Sequence, residues 1–152
     1  MFRHKQTHQR VGYGLFLAYL VVLVYFMFFS DRFGRTGHEE YSYNVVLFRE
    51  IGRFFRYRKQ LGMQAFLLNT LGNVACFIPL GMFLPLLSDF GKKWYNTLGV
   101  CFLMTFGIET IQLLTKVGSF DVDDMFLNLL GGAVGWLIAW GLSGFGRRIV
   151  GK

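Results

Sequence analysis

Four carboxylates, an Asn and a Gln stand between two long apolar runs in the stretch Gly107 to Gly135, GIETIQLLTKVGSFDVDDMFLNLLGGAVG. Glu109 and Gln112 are three residues apart and share a helix face, which Thr105 and Lys116 extend by one turn each way. After the turn Val117-Gly118-Ser119-Phe120, the residues Asp121, Asp124, Asn128, Gly131 or Gly132, and Gly135 recur at helical spacing. Both polar stripes converge on that turn. Carboxylates are hard oxygen donors of the kind a divalent cation takes, so Glu109, Asp121 and Asp124 are candidate metal ligands. Without such a cation, like charges in a partly desolvated pocket raise at least one carboxyl pKa, and the cluster would hold a proton or receive a cationic group. Lys116 can offset one acid at most.

A plainer reading competes with this one. Ser119 or Asp121 can cap the helix that follows, and Asp123 and Asp124 suit the positive end of its dipole. Capping accounts less well for Glu109 and Asn128, which lie deeper in apolar sequence. An ionisable side chain inside a membrane span is costly and ordinarily faces the bundle interior or a water-filled cavity.

Further polar residues lie upstream. Gln64, Asn69 and Asn73 interrupt an apolar run, and Asn69 and Asn73 share a helix face. Pro79 has no N–H and so frees the carbonyl of Ala75, which needs another partner in a bilayer. Asn73 therefore joins Glu109, Gln112, Asp121, Asp124 and Asn128 as a candidate polar site, with packing by interhelical hydrogen bonds as the alternative. Gly131-Gly132 and Gly135 form a small-xxx-small pattern that favours close helix approach. No His, Ser or Cys pairs with the carboxylates to suggest a nucleophile. Cys76 and Cys101 lie in apolar runs with no Cys or His at metal-ligand spacing and read as small buried apolar residues.

The elements that must position these residues are membrane helices. A chain of 152 residues is one domain by length, and 53% hydrophobic residues with mean hydropathy +0.40 exceed what a soluble domain of this size carries. Nearly uncharged runs cover 11–30, 61–88, 94–114 and 125–145, each near or above the ~20 residues that cross ~30 Å of hydrocarbon. The expected fold is an all-α membrane protein with four transmembrane helices and one interfacial amphipathic helix near Asn44 to Lys59. In that last segment Leu47, Phe48, Ile51, Phe54 and Phe55 alternate with Arg49, Arg53, Arg56 and Lys59 at helical spacing. A solvated basic loop is the alternative there. The first run has no polar face and reads as a peripheral, lipid-facing anchor. Its apolar core exceeds the ~7–15 residues of a signal peptide, and Phe28-Phe29-Ser30-Asp31 offers no small-x-small cleavage site.

The net charge of +7 is no nucleic-acid footprint, because in a four-span chain Lys and Arg gather at the bilayer surface. With an even number of spans both termini share a side. That side carries Arg3, Lys5, Arg10, Lys92, Lys93, Arg147, Arg148 and Lys152. The other carries Arg32, Arg35, Arg49, Arg53, Arg56, Arg58, Lys59 and Lys116, so the counts tie. Local context breaks the tie: the first side has its cations against the span ends, whereas the turn from Lys116 to Asp124 is net acidic. The termini are expected in the cytoplasm and the acidic turn outside.

Three spaced sets of residues, Asn73-x5-Pro79-x-Gly81, Glu109-x2-Gln112 and Ser119-Phe120-Asp121-x2-Asp124-x3-Asn128-x2-Gly131-Gly132-x2-Gly135, resemble the VanZ-like family of bacterial membrane proteins. Tyr43 to Ile51 is similar to that family's Asn-Leu-Ile-Pro-Phe segment before the second span. The likeness covers roughly the last two thirds of the chain. This chain departs from the pattern in carrying Leu47 where many members have Pro, and Gly118 where an Arg commonly stands, with Lys116 the nearest cation. A Lys supplies charge but not a bidentate fork, so a role resting on that Arg is not carried over. The resemblance implies a bacterial cell-envelope protein that lowers susceptibility to teicoplanin-type glycopeptides, or a relative with another envelope role. Its implied partners are lipid-linked cell-wall intermediates or the glycopeptide itself. Two alternatives stay open: an enzyme with a divalent cation on Glu109, Asp121 and Asp124 that acts on a lipid-linked phosphate, and a non-catalytic accessory bundle. A transporter would need several copies to enclose a path.

Overall fold

The computed structural model describes residues 2–29, 40–61 and 63–150, with side chains placed at 10–29, 40–53, 55–57, 67 and 69–144. Arg32 and Arg35 lie outside the described residues, as do the side chains of Phe54, Arg58, Lys59 and Gln64. Five α-helices carry the chain: α1 (Phe2–Phe29), α2 (Arg49–Leu61), α3 (Met63–Leu87), α4 (Trp94–Thr115) and α5 (Val122–Val150). Four contain windows long and apolar enough to cross a membrane, at Arg10–Phe29, Asn69–Leu87, Trp94–Thr115 and Val122–Gly144. The expected all-α membrane fold is what forms, because a helix satisfies its own backbone where lipid offers no partner. Large apolar side chains such as Leu17, Val21, Leu103, Leu114 and Trp140 are exposed on its outside, as a lipid-facing surface requires.

The principal seam joins α3 to α5. A Cβ on Gly131 would overlap the carbonyl oxygen of Val74, one on Gly135 that of Ile78, and one on Gly81 that of Gly132. Since both contacts advance by four residues together, α3 and α5 run parallel. Only glycine permits backbones this close, where dispersion contacts replace the hydrophobic drive that lipid cannot supply. On the far side of α5, Gly132 leaves room for Cys101 of α4. Neither Cys101 nor Cys76 forms a disulfide.

α1 runs antiparallel to α3. It is peripheral, yet it is not the featureless anchor expected. Leu23 and Met27 are buried in a cluster with Phe77, Leu80, Cys101 and Ile108. The Tyr19 hydroxyl donates to the carbonyl of Cys76 (2.7 Å), and Tyr13 reaches that of Leu87 (3.3 Å). Pro79 supplies the reason: it disrupts donation to this turn of α3, and a side chain from α1 serves the carbonyl next to the one it frees.

The two ends of the bundle are closed differently. At one end a 3₁₀ turn, Phe90–Lys92, links α3 to α4 through local bonds, among them Ser88 Oγ to Leu84 O (2.9 Å) and Thr97 Oγ1 to Gly91 O (2.8 Å). At the other end two short strands, β1 (Tyr43–Asn44) and β2 (Phe120–Asp121), pair in parallel with Tyr43 opposite Phe120 and Asn44 opposite Asp121. This clasp corrects the expected helix boundary: α2 begins at Arg49, and 44–48 is strand and turn. The side chain of Asn44 is drawn into the clasp, and Phe48 adopts a left-handed backbone (φ 65°) that no helix continues through.

Candidate functional site

The site is assembled where the acidic turn meets the segment before α2. Asp121 is the N-cap of α5: its Oδ1 accepts the amide of Asp123 (2.8 Å), as short polar caps do for the orphan donors of a first turn. The same oxygen accepts Asn44 Nδ2 (2.9 Å). Asn44 in turn uses its Oδ1 to accept the amide of Val46 (3.1 Å). Glu109, from α4, completes the cap by accepting the amide of Asp121 on Oε2 (2.9 Å). Burial pushes the Asp121 carboxyl above its usual range. The two hydrogen bonds hold it down in part, and the neighbouring Asp123 and Glu50 add to the rise.

Asp123 is buried to 1% exposure and holds the start of α2. Its Oδ2 accepts the amides of Glu50 (2.8 Å) and Ile51 (3.1 Å), and its Oδ1 accepts that of Phe48. A carboxylate at the positive end of a helix is favourable, and here it is supplied from another helix. The left-handed Phe48 makes the three amides converge, and its ring packs edge-on against Phe126 (5.3 Å between centroids). Such a backbone costs about 1–2 kcal/mol, which these bonds to a charged acceptor offset. Lys116 ends α4 in the same left-handed region (φ 57°) and lies over the ring of Tyr41 (4.9 Å). On the outer face of α2, Arg49, Arg53 and Arg56 are exposed, and Glu50 pairs with Arg53 (2.6 Å).

Below the clasp lies a polar centre. Asn128 Nδ2 donates to Thr105 Oγ1 (2.8 Å), and Gln112 Nε2 donates to the carbonyl of Met27 on α1 (2.7 Å). Asn73 is level with them, since Val74 meets Gly131, less than one turn beyond Asn128. Asn73, Gln112 and Asn128 are at most 1% exposed. Even so, both polar atoms of the Asn73 amide, Gln112 Oε1, Asn128 Oδ1 and Thr70 Oγ1 have no hydrogen-bond partner among the described residues. Asp124 is buried one turn above Asn128.

The six candidate residues thus gather at one end of the bundle, though not in one shell. Glu109 and Asp121 bond through the latter's amide, Asn128 turns to α4, and Gln112 turns to α1. Among the described residues, no group of three His, Cys, Asp or Glu side chains is arranged to hold a metal. Glu109 Oε2, Asp121 Oδ1 and both oxygens of Asp123 already accept backbone or amide N–H. Sequence reasoning passed over Asn44 as a partner of Asp121 and gave Asp123 only to the dipole of its own helix. The motif similarity around Asn44 was the signal available for the first, and nothing local pointed to the second.

The family model described as VanZ/LLP1 matches residues 16–144. The chain belongs to the VanZ/LLP1 family. It is similar to protein VanZ of Enterococcus faecium, with 25% identity over 134 residues, covering 86% of this chain and 73% of that protein. No solved structure matches it significantly. In this VanZ-like chain the two motif stretches around Asn44 and Asp121, 77 residues apart, form one unit. The departures lie beside it. Gly118 is buried with its amide directed to Gln112 O (3.4 Å), and Lys116 caps α4.

Proposed function

We propose that this VanZ-like membrane protein lowers susceptibility to teicoplanin-type glycopeptides by engaging the polar part of a lipid-linked cell-wall intermediate at the clasp edge. The buried amide cluster carries the reading. Asn73, Gln112 and Asn128 leave four amide atoms unpaired among the described residues, and each unmade buried bond costs about 1–3 kcal/mol. A bundle built only for packing would have paired these amides with one another. A polar group entering from the membrane edge relieves that cost and is thereby bound. A metal-dependent enzyme on the same substrate is less well supported, because the acidic oxygens nearest the clasp are held by N–H donors as structural acceptors.

In this reading the clasp faces outward and the termini lie in the cytoplasm. Lys92 and Lys93, with Trp94 and Tyr95 beside them, mark the opposite edge, in keeping with cytoplasmic cations and interfacial aromatics. A Phe120→Cys variant should react with an impermeant maleimide on intact cells, and reaction only from the cytoplasmic side would reverse the orientation. The function itself is tested by deleting and overexpressing the gene in its own bacterium against a panel of envelope-active antibiotics. Teicoplanin susceptibility should rise on deletion and fall on overexpression while antibiotics with intracellular targets are unaffected. An unchanged profile across the panel defeats the reading.

A further inference from the structure

Between α1 and α3 lies an apolar groove of about 300 Å³, lined by Tyr19, Leu23, Phe26, Gly72, Ala75 and Pro79 among others. Gly72 and Ala75 hollow its α3 wall. The Tyr19 hydroxyl is turned away onto the Cys76 carbonyl, so the ring presents carbon to the space. Every one of these residues belongs to a membrane-crossing window.

The groove is confined almost wholly to the clasp-side half of both membrane-crossing windows. The windows Arg10–Phe29 and Asn69–Leu87 have their midpoints near about residues 20 and 78. The lining runs from Tyr19 to Phe26 on α1 and from Gly72 to Pro79 on α3, that is, from the midpoints towards the clasp. Eight residues of helix span ~11 Å, most of the ~15 Å depth of one leaflet. At its clasp end the groove comes up to Met27, whose carbonyl accepts Gln112, and to Gly72, the neighbour of Asn73.

We propose that this groove seats one hydrocarbon chain of a lipid from the clasp-side leaflet. Hydrocarbon chains are the solvent at this depth, and a hollow with no polar lining offers hydrogen-bonding groups nothing. A chain held in that leaflet places its own head group at the clasp edge, beside the buried amides. The inference deepens the reading above by giving the lipid-linked partner a seat, while the groove itself stands on geometry independent of any antibiotic effect.

The full chain is reconstituted in phosphatidylglycerol vesicles, extracted in mild detergent and weighed by native mass spectrometry. One retained lipid per chain is expected. Ala75→Leu, which fills the groove from α3, should lower the retained fraction about tenfold. Leu17→Trp, on an exposed face of α1 outside the groove, should leave it unchanged. No retained lipid in the unmodified chain overturns the proposal, as does retention undiminished by Ala75→Leu or equally diminished by Leu17→Trp. A dimer without lipid also overturns it, since a second copy would then fill the groove. Retention together with an unchanged antibiotic profile would uphold the groove and sink only the proposed function.

Discussion

The clasp end and the glycine seam of this bundle are built on opposite principles. Along the seam, Gly81, Gly131 and Gly135 bring two backbones into contact, and the stabilisation is dispersion between atoms with no charge to satisfy. At the clasp end, Glu109, Asp121, Asp123 and Asp124 are buried, and Phe48 and Lys116, the two non-glycine residues with positive φ among the described residues, also lie there. Among the described residues, the unpaired buried atoms of Thr70, Asn73, Gln112 and Asn128 gather towards that end as well, whereas Trp136 Nε1 lies apart. Strain and unmet polar demand persist only where surrounding structure enforces them. The seam is what enforces them here. It makes the fold tolerant of a polar end that would not hold itself together.

The largest effect should come from breaking the seam. Gly131→Val and Gly135→Val each place side-chain carbon inside a backbone carbonyl of α3, so the helices must part along their length. A loss above about 3 kcal/mol is expected, overpacking at its severe end, seen as failure to accumulate in the membrane. Normal levels and an unchanged thermal midpoint in detergent would mean that α5 is not seated on α3 as described.

The next effect should be large but local. Asp123→Ala removes the acceptor of three amides and leaves Phe48 strained without compensation. About 2–4 kcal/mol should be lost from the attachment of α2, given ~1.5–3 kcal/mol for bonds to a charged group. Amide exchange at 48–51 should accelerate while exchange in α3 and α5 holds. Global unfolding would show that the clasp, not the seam, carries the fold.

The two ends also differed in how legible they were. The spans were readable to within a few residues, since α3 covers 63–87 against the expected 61–88 and α4 covers 94–115 against 94–114. Uninterrupted apolar length is a local property. The convergence of Glu109 with Asp121 was also readable, because only a short turn separates their helices. The Asn44–Asp121 pairing was not, since it joins two-residue strands across two spans and leaves no alternation to detect. The second role of Asp123 was hidden for the same reason: a first-turn acid suits its own helix, and the distant helix start laid upon it leaves no local trace.

A third test separates function from stability at the polar centre. Asn73→Leu replaces an unpaired buried amide by an apolar group of similar size, which should be neutral or stabilising by about 1 kcal/mol. Glu109→Gln keeps an acceptor for the Asp121 amide and should stay within about 1 kcal/mol of the native chain. Both variants should be inserted at normal levels and, under the proposed function, should lose the glycopeptide phenotype. Full activity in either would reduce that residue to packing.

The smallest effect concerns pH and sets the clasp against the seam without altering either backbone. Burial raises the Asp121 carboxyl above its ordinary value of 3.8, so the folded state binds that proton more tightly than the unfolded chain does. The sign follows by linkage: the contribution is fully present below pH 3.8 and is lost as pH climbs through the raised value. Protonation on Oδ2 leaves Oδ1 free to accept from Asn44 and from the Asp123 amide, so no bond of the cap is broken at low pH. Amide exchange at 43–46 and 120–123 should therefore quicken modestly, relative to the intrinsic rates, as pH rises from about 4 towards neutrality. The α3–α5 seam, whose glycines meet backbone carbonyls, should show no such trend. Asp121→Asn keeps an oxygen for both donors but cannot ionise, and it should flatten the clasp's profile onto that of the seam. If the variant's profile is as steep as that of the native chain, the buried carboxyl of Asp121 is not the group that couples the clasp to pH.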